Sequence, residues 1–561
     1  MTTSLAGQPL LAVLTLREVW RRARRRLRTG PLHRWRFAGG RAGKLLVVPP
    51  SLRHGDPMIA EAIYAGRFFF AGQLLEPGRT SIFQAPLPSE AYAAELHGFD
   101  WLRHHAEAGD ALAVQNARTL VDDWIRQKGG TLADPAFEPA VAARRMIAWL
   151  SHADMLLADA DAGFHKRFLR SLSSQARYLR SVAQEAPEGT PRLQVRTALA
   201  FVSLCLPAAS GRIKIAARHL AEELDRQVFP DGGHISRDPG APVAILADLI
   251  PLRQTYLRQG QALPRGLYSA IDRMLPAVRF FRHSDGSLAL FNGSGASDIH
   301  LMTVLLRYDE TLGEPITHAR QSGYHRLAAG SSVIVADTGC PPPALVSRNA
   351  HAGTLGFELS CEANRIVVNC GRPLTADAEW RRLSRSTAAH STVTLDDRSS
   401  SHFARSESLD RFLGTPLVPG PTEVLSSELG DPVRGFEATH NGYERQSGLL
   451  HRRQVSLAED GWTVDGHDSF QRSATVRTGS DAGKATARFH LHPSVSVEVI
   501  GDGVRLAVRG QRWLFRADAR VEIEDSIFFA DAGGARRTLQ LAVPFDAYDP
   551  AGIAWCFERE A

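Results

Sequence analysis

The sequence predicts an α+β multidomain protein, with an N-terminal helical array followed by a C-terminal antiparallel β-sandwich or multi-sheet stack. Three observations carry this expectation. From about residue 88 to 310, apolar residues recur at three- and four-residue spacing. After about 315 the pattern changes to alternation in short runs broken by Gly, Asn and Pro. A chain of 561 residues, 44% apolar and 22% charged, also has the length for two or more domains and an ordinary globular composition.

Taken in order, residues 1–16 are mildly apolar but lack a preceding basic stretch and a convincing cleavage site, so they do not read as a secretory signal. No stretch of about 18 uncharged apolar residues suggests a membrane span. Residues 17–44 hold ten Arg and one Lys against one Glu, a local balance of +10. Since the whole chain carries +6, residues 45–561 sum to −4, and the high isoelectric point belongs to one segment. A slightly acidic body is not a general nucleic-acid binder, and no nucleic-acid partner is expected. The segment REVWRRARRRLR has two readings. It is either a basic amphipathic helix making peripheral contact with an anionic membrane, or a solvated helix packed on the body by Trp20 and Leu27.

Residues 44–85 read as strand and loop, including KLLVVPP and GRFFFAG. Five helical phrases follow between 91 and 229, joined at Gly, Pro or Asp. Such paired helices must stack on their neighbours to bury both faces, which predicts a toroid or solenoid. From SSVIVADTG onward the strands are short and regularly punctuated. The expected division is 1–87 for the basic segment and lead-in, 88–315 for the helical domain and 316–561 for the sheet domain. The five cysteines show no CxxC pairing, which argues against a disulfide framework or a Cys-rich zinc site.

The chemistry-bearing residues cluster in two stretches. His351 precedes the alternating run Leu355, Phe357, Leu359; Asn369 closes RIVVN; and His390 stands just ahead of a Thr/Val strand. In the helical half, DGGH (231–234) lies in a polar loop before a new helix, where free N–H groups favour anions. The phrases HAGTLGFEL, VVNCG, WRRLSRSTAAHSTV, THNGYERQSGLLHRRQVSL, ARFHLHPSV and IEDSIFFADAGGARRTLQLAV follow in order across residues 320–545. Together they resemble the C-terminal domain of the heparinase II/III family of polysaccharide lyases. DGGH and DGSLALFN (285–292) match phrases of its helical half.

That resemblance implies an incomplete α/α toroid joined to the sheet domain. It also implies β-elimination on an acidic, uronic-acid-containing polysaccharide in the cleft between them. The reaction needs a donor or cation on the uronate carboxylate, a base for the C5 proton and an acid for the leaving oxygen. His234 is the candidate stabiliser or base, Tyr256 the candidate tyrosine, and Asn349 stands where a histidine is expected. Asn292, Arg382 and Arg385 are candidates for substrate binding, the arginines through bidentate contacts to carboxylates. His351, Asn369 and His390 fall at the positions of a structural zinc, with Asn369 in place of the usual Asp.

The sequence departs from the family pattern elsewhere. Ser236 stands where an acid is often found, and Ala241 and Pro242 where a Tyr-His pair is. The leading expectation is therefore a polysaccharide lyase. The alternative is a degenerate member that binds an anionic glycan or envelope polymer without cleaving it. The resemblance implies a periplasmic or envelope location, whereas the lack of an evident export signal favours the cytoplasm.

Overall fold

A computed structural model describes residues 8–560 except 31–36, 38–42, 130–131, 133, 312, 375–376, 404–405, 419, 431–432 and 475–482. Most of the second half of the basic segment, including Arg34, Arg36 and Arg41, therefore lies outside the described residues.

Helices occupy the chain from Pro57 to Leu306 and follow its apolar spacing. In the helix Ala111–Lys128, Ala113, Ala117, Val121 and Trp124 recur on one face and are buried, while the Asp110 carboxylate accepts from Ala113 N–H and starts the helix. Trp124 meets Trp149 and Phe137 at ring separations of 5.5 and 5.8 Å, so neighbouring helices share one aromatic core. The helix Gly240–Arg258 is buried nearly all round and packs against the helices Thr190–Cys205 and Leu267–Phe280.

The lead-in differs from its reading in one place. KLLVVPP forms no strand: Leu46 N–H donates to Cys205 O at 2.8 Å, and Pro49 and Pro50 have no N–H to offer a ladder. Phe68–Phe70 and Gln73–Leu75 form a small hairpin.

From His318 onward strands dominate, in two antiparallel sheets. One has eight strands, in the order 496–500, 503–508, 511–517, 553–559, 463–472, 449–457, 434–440, 424–428. The other runs 522–528, 536–546, 484–491, 364–368, 357–361, 332–337, 324–329, 318–319, with 393–395 paired to 484–491. Alternation is clearest in Leu449–Leu457, where every second side chain is buried. Phe357 and Phe489 from one sheet meet Trp555 and Phe557 from the other. Gly466 makes room for this: a Cβ there would lie 2.0 Å from the Trp555 ring. A buried charge ties the sheets together. Arg453 donates to Asp468 at 2.7 and 2.9 Å, and across the sandwich to Leu355 O and Ser391 O at 2.8 and 2.7 Å.

The helical and sheet regions meet at Arg237, whose backbone adopts φ +58°. Its buried guanidinium donates to Ser322 O, Gly323 O and Cys340 O at 2.7–2.9 Å and forms an ion pair with Asp337. Tyr324 Oη donates back to Arg237 O, and Asn292 Nδ2 reaches both Tyr324 Oη (2.8 Å) and Asp337 Oδ2 (3.1 Å). Removing the cation strands a buried carboxylate. The variant Arg237→Met is expected to lose about 3–5 kcal/mol of stability, and the double variant Arg237→Met/Asp337→Leu less than that. Urea denaturation of the three proteins checks both statements.

Candidate functional site

The loop 228–239 is closed by an isolated bridge between Val228 and His234, so the histidine faces into the helical body. His234 is 1% exposed. Its Nδ1 accepts from Ser236 N–H at 3.1 Å and lies 2.7 Å from Ser236 Oγ, which puts the ring proton on Nε2. That nitrogen donates to Gln227 Oε1 at 3.0 Å. Both ring nitrogens are thus engaged, and burial pushes the imidazole down to about 4. The residue expected to act on substrate holds its own loop together.

Tyr256 is fully buried in the helical core, and burial pushes its phenol up; its hydroxyl has no hydrogen-bond partner. An enclosed neutral phenol with an apolar surround is a packing group. Asn292, taken from sequence as a substrate ligand, is buried in the Arg237 network, and its Oδ1 accepts from His351 N–H at 3.3 Å. Arg385 is also buried, donating to Ala350 O (2.7 Å), Ser347 O (3.0 Å) and Thr415 O (3.0 Å). Its fork ties the turn Ser347–Ala350 to Thr415. Asn349 and Arg382 are exposed, the former packed against Gly293. A side chain at Gly293 would come within 2.6 Å of Asn349 Cβ. A cavity of about 820 Å³ opens at the junction beside Arg237, Arg320 and Cys340, but none of His234, Tyr256, Asn349 or Arg382 lines it.

The structure does bring His351, Asn369 and His390 together. His390 Nδ1 donates to Ser386 O at 2.7 Å, which leaves its Nε2 to face His351 Nδ1 at 2.9 Å. Gly353 allows this approach, since a Cβ there would lie 2.5 Å from the His390 ring. Burial lowers both histidines, His390 to about 4 and His351 well below its usual value, with His390 adding to the latter. Asn369 Oδ1 accepts from Ser391 N–H at 2.9 Å, and its Nδ2 is buried with no partner. A zinc centre needs lone pairs from all its ligands and favours an anionic one. Here the third residue is a neutral amide whose oxygen already accepts from Ser391 with one lone pair, and the two histidines face one another, so the set lacks the anionic ligand that zinc favours and does not fit it. Among the described residues no group of three or more His, Cys, Asp or Glu is placed to hold a metal ion.

Asp238 was not singled out from sequence. It is half-buried at the start of the helix Gly240–Arg258, and its Oδ1 accepts from Gly240 N–H at 2.8 Å. Burial pushes its carboxyl up to about 6, while the charge of Arg372 pulls the other way. Arg372 is exposed and joined through its N–H to Ser294 O at 3.0 Å. Beyond it, the helix Ala378–Leu383 carries exposed Arg381, Arg382 and Trp380, the last tilted against Phe529 at a ring separation of 5.6 Å. The signal available in sequence was an acid followed directly by Pro at a helix start, two residues beyond the expected position.

Comparison with known proteins agrees with this architecture. Residues 311–556 match the family described as Heparinase II/III-like, C-terminal. FtsZ-localized protein C of Caulobacter vibrioides is 33% identical over 541 residues, which cover 94% of this chain and 92% of that protein. The chain belongs to the heparinase II/III-like family. Among solved structures, heparinase III aligns with a TM-score of 0.67 at 15% identity, over 91% of this chain and 85% of that one. Heparan sulfate lyase HepC from Pedobacter heparinus aligns at 0.56 and 16%, over 90% and 82%. These structures share the fold: a helical N-terminal region and a C-terminal multi-sheet antiparallel domain.

Two outcomes are expected of this site. An unfolded histidine binds a proton near pH 6.5, but buried His234 does so only near 4. Its contribution to stability is therefore full above pH 6.5 and declines as the pH falls towards 4. In urea titrations at pH 7 and 5, His234→Gln should narrow the stability difference between the two pH values. At the second position, Asn369→Asp supplies the missing anionic ligand. This variant should gain stoichiometric zinc by elemental analysis, while the parent protein stays substoichiometric.

Proposed function

We propose that the chain is a non-cleaving member of its family, using the lyase fold to bind an anionic glycan or envelope polymer. One observation carries the reading. The candidate base His234 has no free ring nitrogen and Tyr256 lies in the core, whereas Arg372, Arg381, Arg382 and Trp380 stay exposed. Proton abstraction from a uronate requires an accessible acceptor within hydrogen-bond reach. Binding requires only cations for carboxylate or sulfate groups and an apolar face for the sugar ring, which arginine and tryptophan supply. The likeness to FtsZ-localized protein C adds a setting, a place where FtsZ is found. There, an anionic polymer of the envelope would be the ligand and FtsZ a neighbour.

A second reading has its own observation. Asp238, with its carboxyl raised to about 6 beside Arg372, has the protonation behaviour of a general base near neutral pH. In this reading the chain is a lyase: Asp238 removes the C5 proton, Arg372 neutralises the uronate carboxylate, and as the C4–C5 double bond forms the C4–O bond breaks, its oxygen leaving as a hydroxyl with a proton from water.

A panel of uronic-acid polymers separates the two. The binding reading expects at least one polymer to bind, with Arg381→Ala and Arg382→Ala each weakening it about 10-fold, and no rise in the ultraviolet absorbance of an unsaturated uronate. A rise in absorbance that Asp238→Asn abolishes replaces it with the lyase reading. Absence of binding across the panel removes the glycan assignment.

A further inference from the structure

The helix Gln8–Thr29 lies on the surface with its two faces put to different use. Its inner face is fastened to the body. Leu14 is buried against Leu413 and Val418, and Arg25 pairs with Asp134 and Glu138. Arg21 donates to Glu18 and to Glu185 O, and Arg28 to Glu185 at 3.1 Å. Glu18, the helix's acidic residue, is spent on this inner side against Arg21 and Arg22.

The outer face is apolar. Val13, Leu16, Trp20 and Leu27 are 61%, 71%, 62% and 70% exposed. Their spacing of three, four and seven residues puts them in one stripe along a 3.6-residue helix. Trp20 and Leu27 therefore do not pack the helix on the body, as one reading of the sequence had it. Leu14 and the inner arginines do so. Alongside the stripe, the side chains of Arg17 and Arg24 are 55% and 46% exposed while pairing at their inner edge with Glu188 and Glu185, and Arg26 is exposed as well.

We propose that this outer face is a docking surface for an anionic lipid bilayer, on which the helix lies flat with Leu16, Trp20 and Leu27 in the headgroup–acyl boundary. Charge selects this occupant. Residues 17–44 carry a balance of +10 while the remaining chain carries −4, so an anionic surface attracts the end that bears the apolar stripe and repels the body. An exposed tryptophan among leucines, flanked by arginines, is the composition of an interfacial helix. The helix is not a span: among the described residues, none is long and apolar enough to cross a membrane.

The test is co-sedimentation of the full chain with vesicles of phosphatidylglycerol and phosphatidylcholine, or of phosphatidylcholine alone, at low and high salt. Binding is expected to the anionic vesicles, with a loss at high salt and little association with the neutral ones. Leu16→Glu/Trp20→Glu should weaken it about 100-fold, each buried apolar side chain being worth about 10-fold or more. Arg26→Ala should weaken it about 5-fold. Both variants change exposed side chains, so their circular dichroism and melting should match the parent. Equal sedimentation with anionic and neutral vesicles, or an unchanged Leu16→Glu/Trp20→Glu variant, overturns the proposal. So does a parent that is dimeric by light scattering, becomes monomeric with Leu16→Glu/Trp20→Glu and never sediments with lipid; that result assigns the stripe to a second copy.

Discussion

A guanidinium without water must find acceptors from the protein, and at the junction of the helical and sheet regions Arg237 draws them from two separate segments of the chain. Ser322, Gly323 and Cys340 give carbonyls, and Asp337 gives its carboxylate. Each acceptor sits roughly a hundred residues away in the chain, so satisfying one side chain sets how the loop 228–239 meets the first strands of the sheet domain. The left-handed backbone at Arg237 is tolerated because these contacts over-determine it. Tyr324 and Asn292 complete the arrangement by bonding to the same partners.

That constraint bears directly on the candidate site. The loop held by Arg237 also carries His234 and Asp238, three residues behind and one ahead. Held this way, His234 turns inward to Gln227 while Asp238 stays half-buried beside Arg372. The same logic recurs in the sheet domain, where Arg385 gathers three backbone carbonyls and His351 and His390 satisfy one another. Polar residues at family motif positions are doing hydrogen-bonding tasks inside the fold. An amide at 369 then suits a neutral histidine pair better than it suits a metal ion.

The residues left for a ligand are those the interior does not claim. Arg372, Arg381, Arg382 and Trp380 gather after the strand Asn364–Val368, and the outward stripe of the helix Gln8–Thr29 lies at the other end of the chain. Both surfaces pair arginine with exposed tryptophan, and both suit anionic partners that lie flat against them.

Much of this protein was legible in its sequence, because local periodicity reflects which face of a helix or strand meets the core. The helical phrases between 91 and 229 and the alternating runs after 315 became helices and strands, and the ordered phrases from His351 to Val543 marked the family. KLLVVPP failed as a strand because two prolines withhold the donors that a ladder needs. What tertiary structure alone decided was the work of each polar side chain. His234 looks the same in sequence whether its nitrogens face a substrate or Gln227, and Arg385 whether it grips a sugar or Thr415 O. The helix Gln8–Thr29 has leucines on both faces, so its period could not say which one packs. Glu138 and Glu185, more than a hundred residues away, decided that by pairing with Arg25 and Arg28. Burial and hydrogen-bond partners arise between residues distant in the chain, and no local pattern records them.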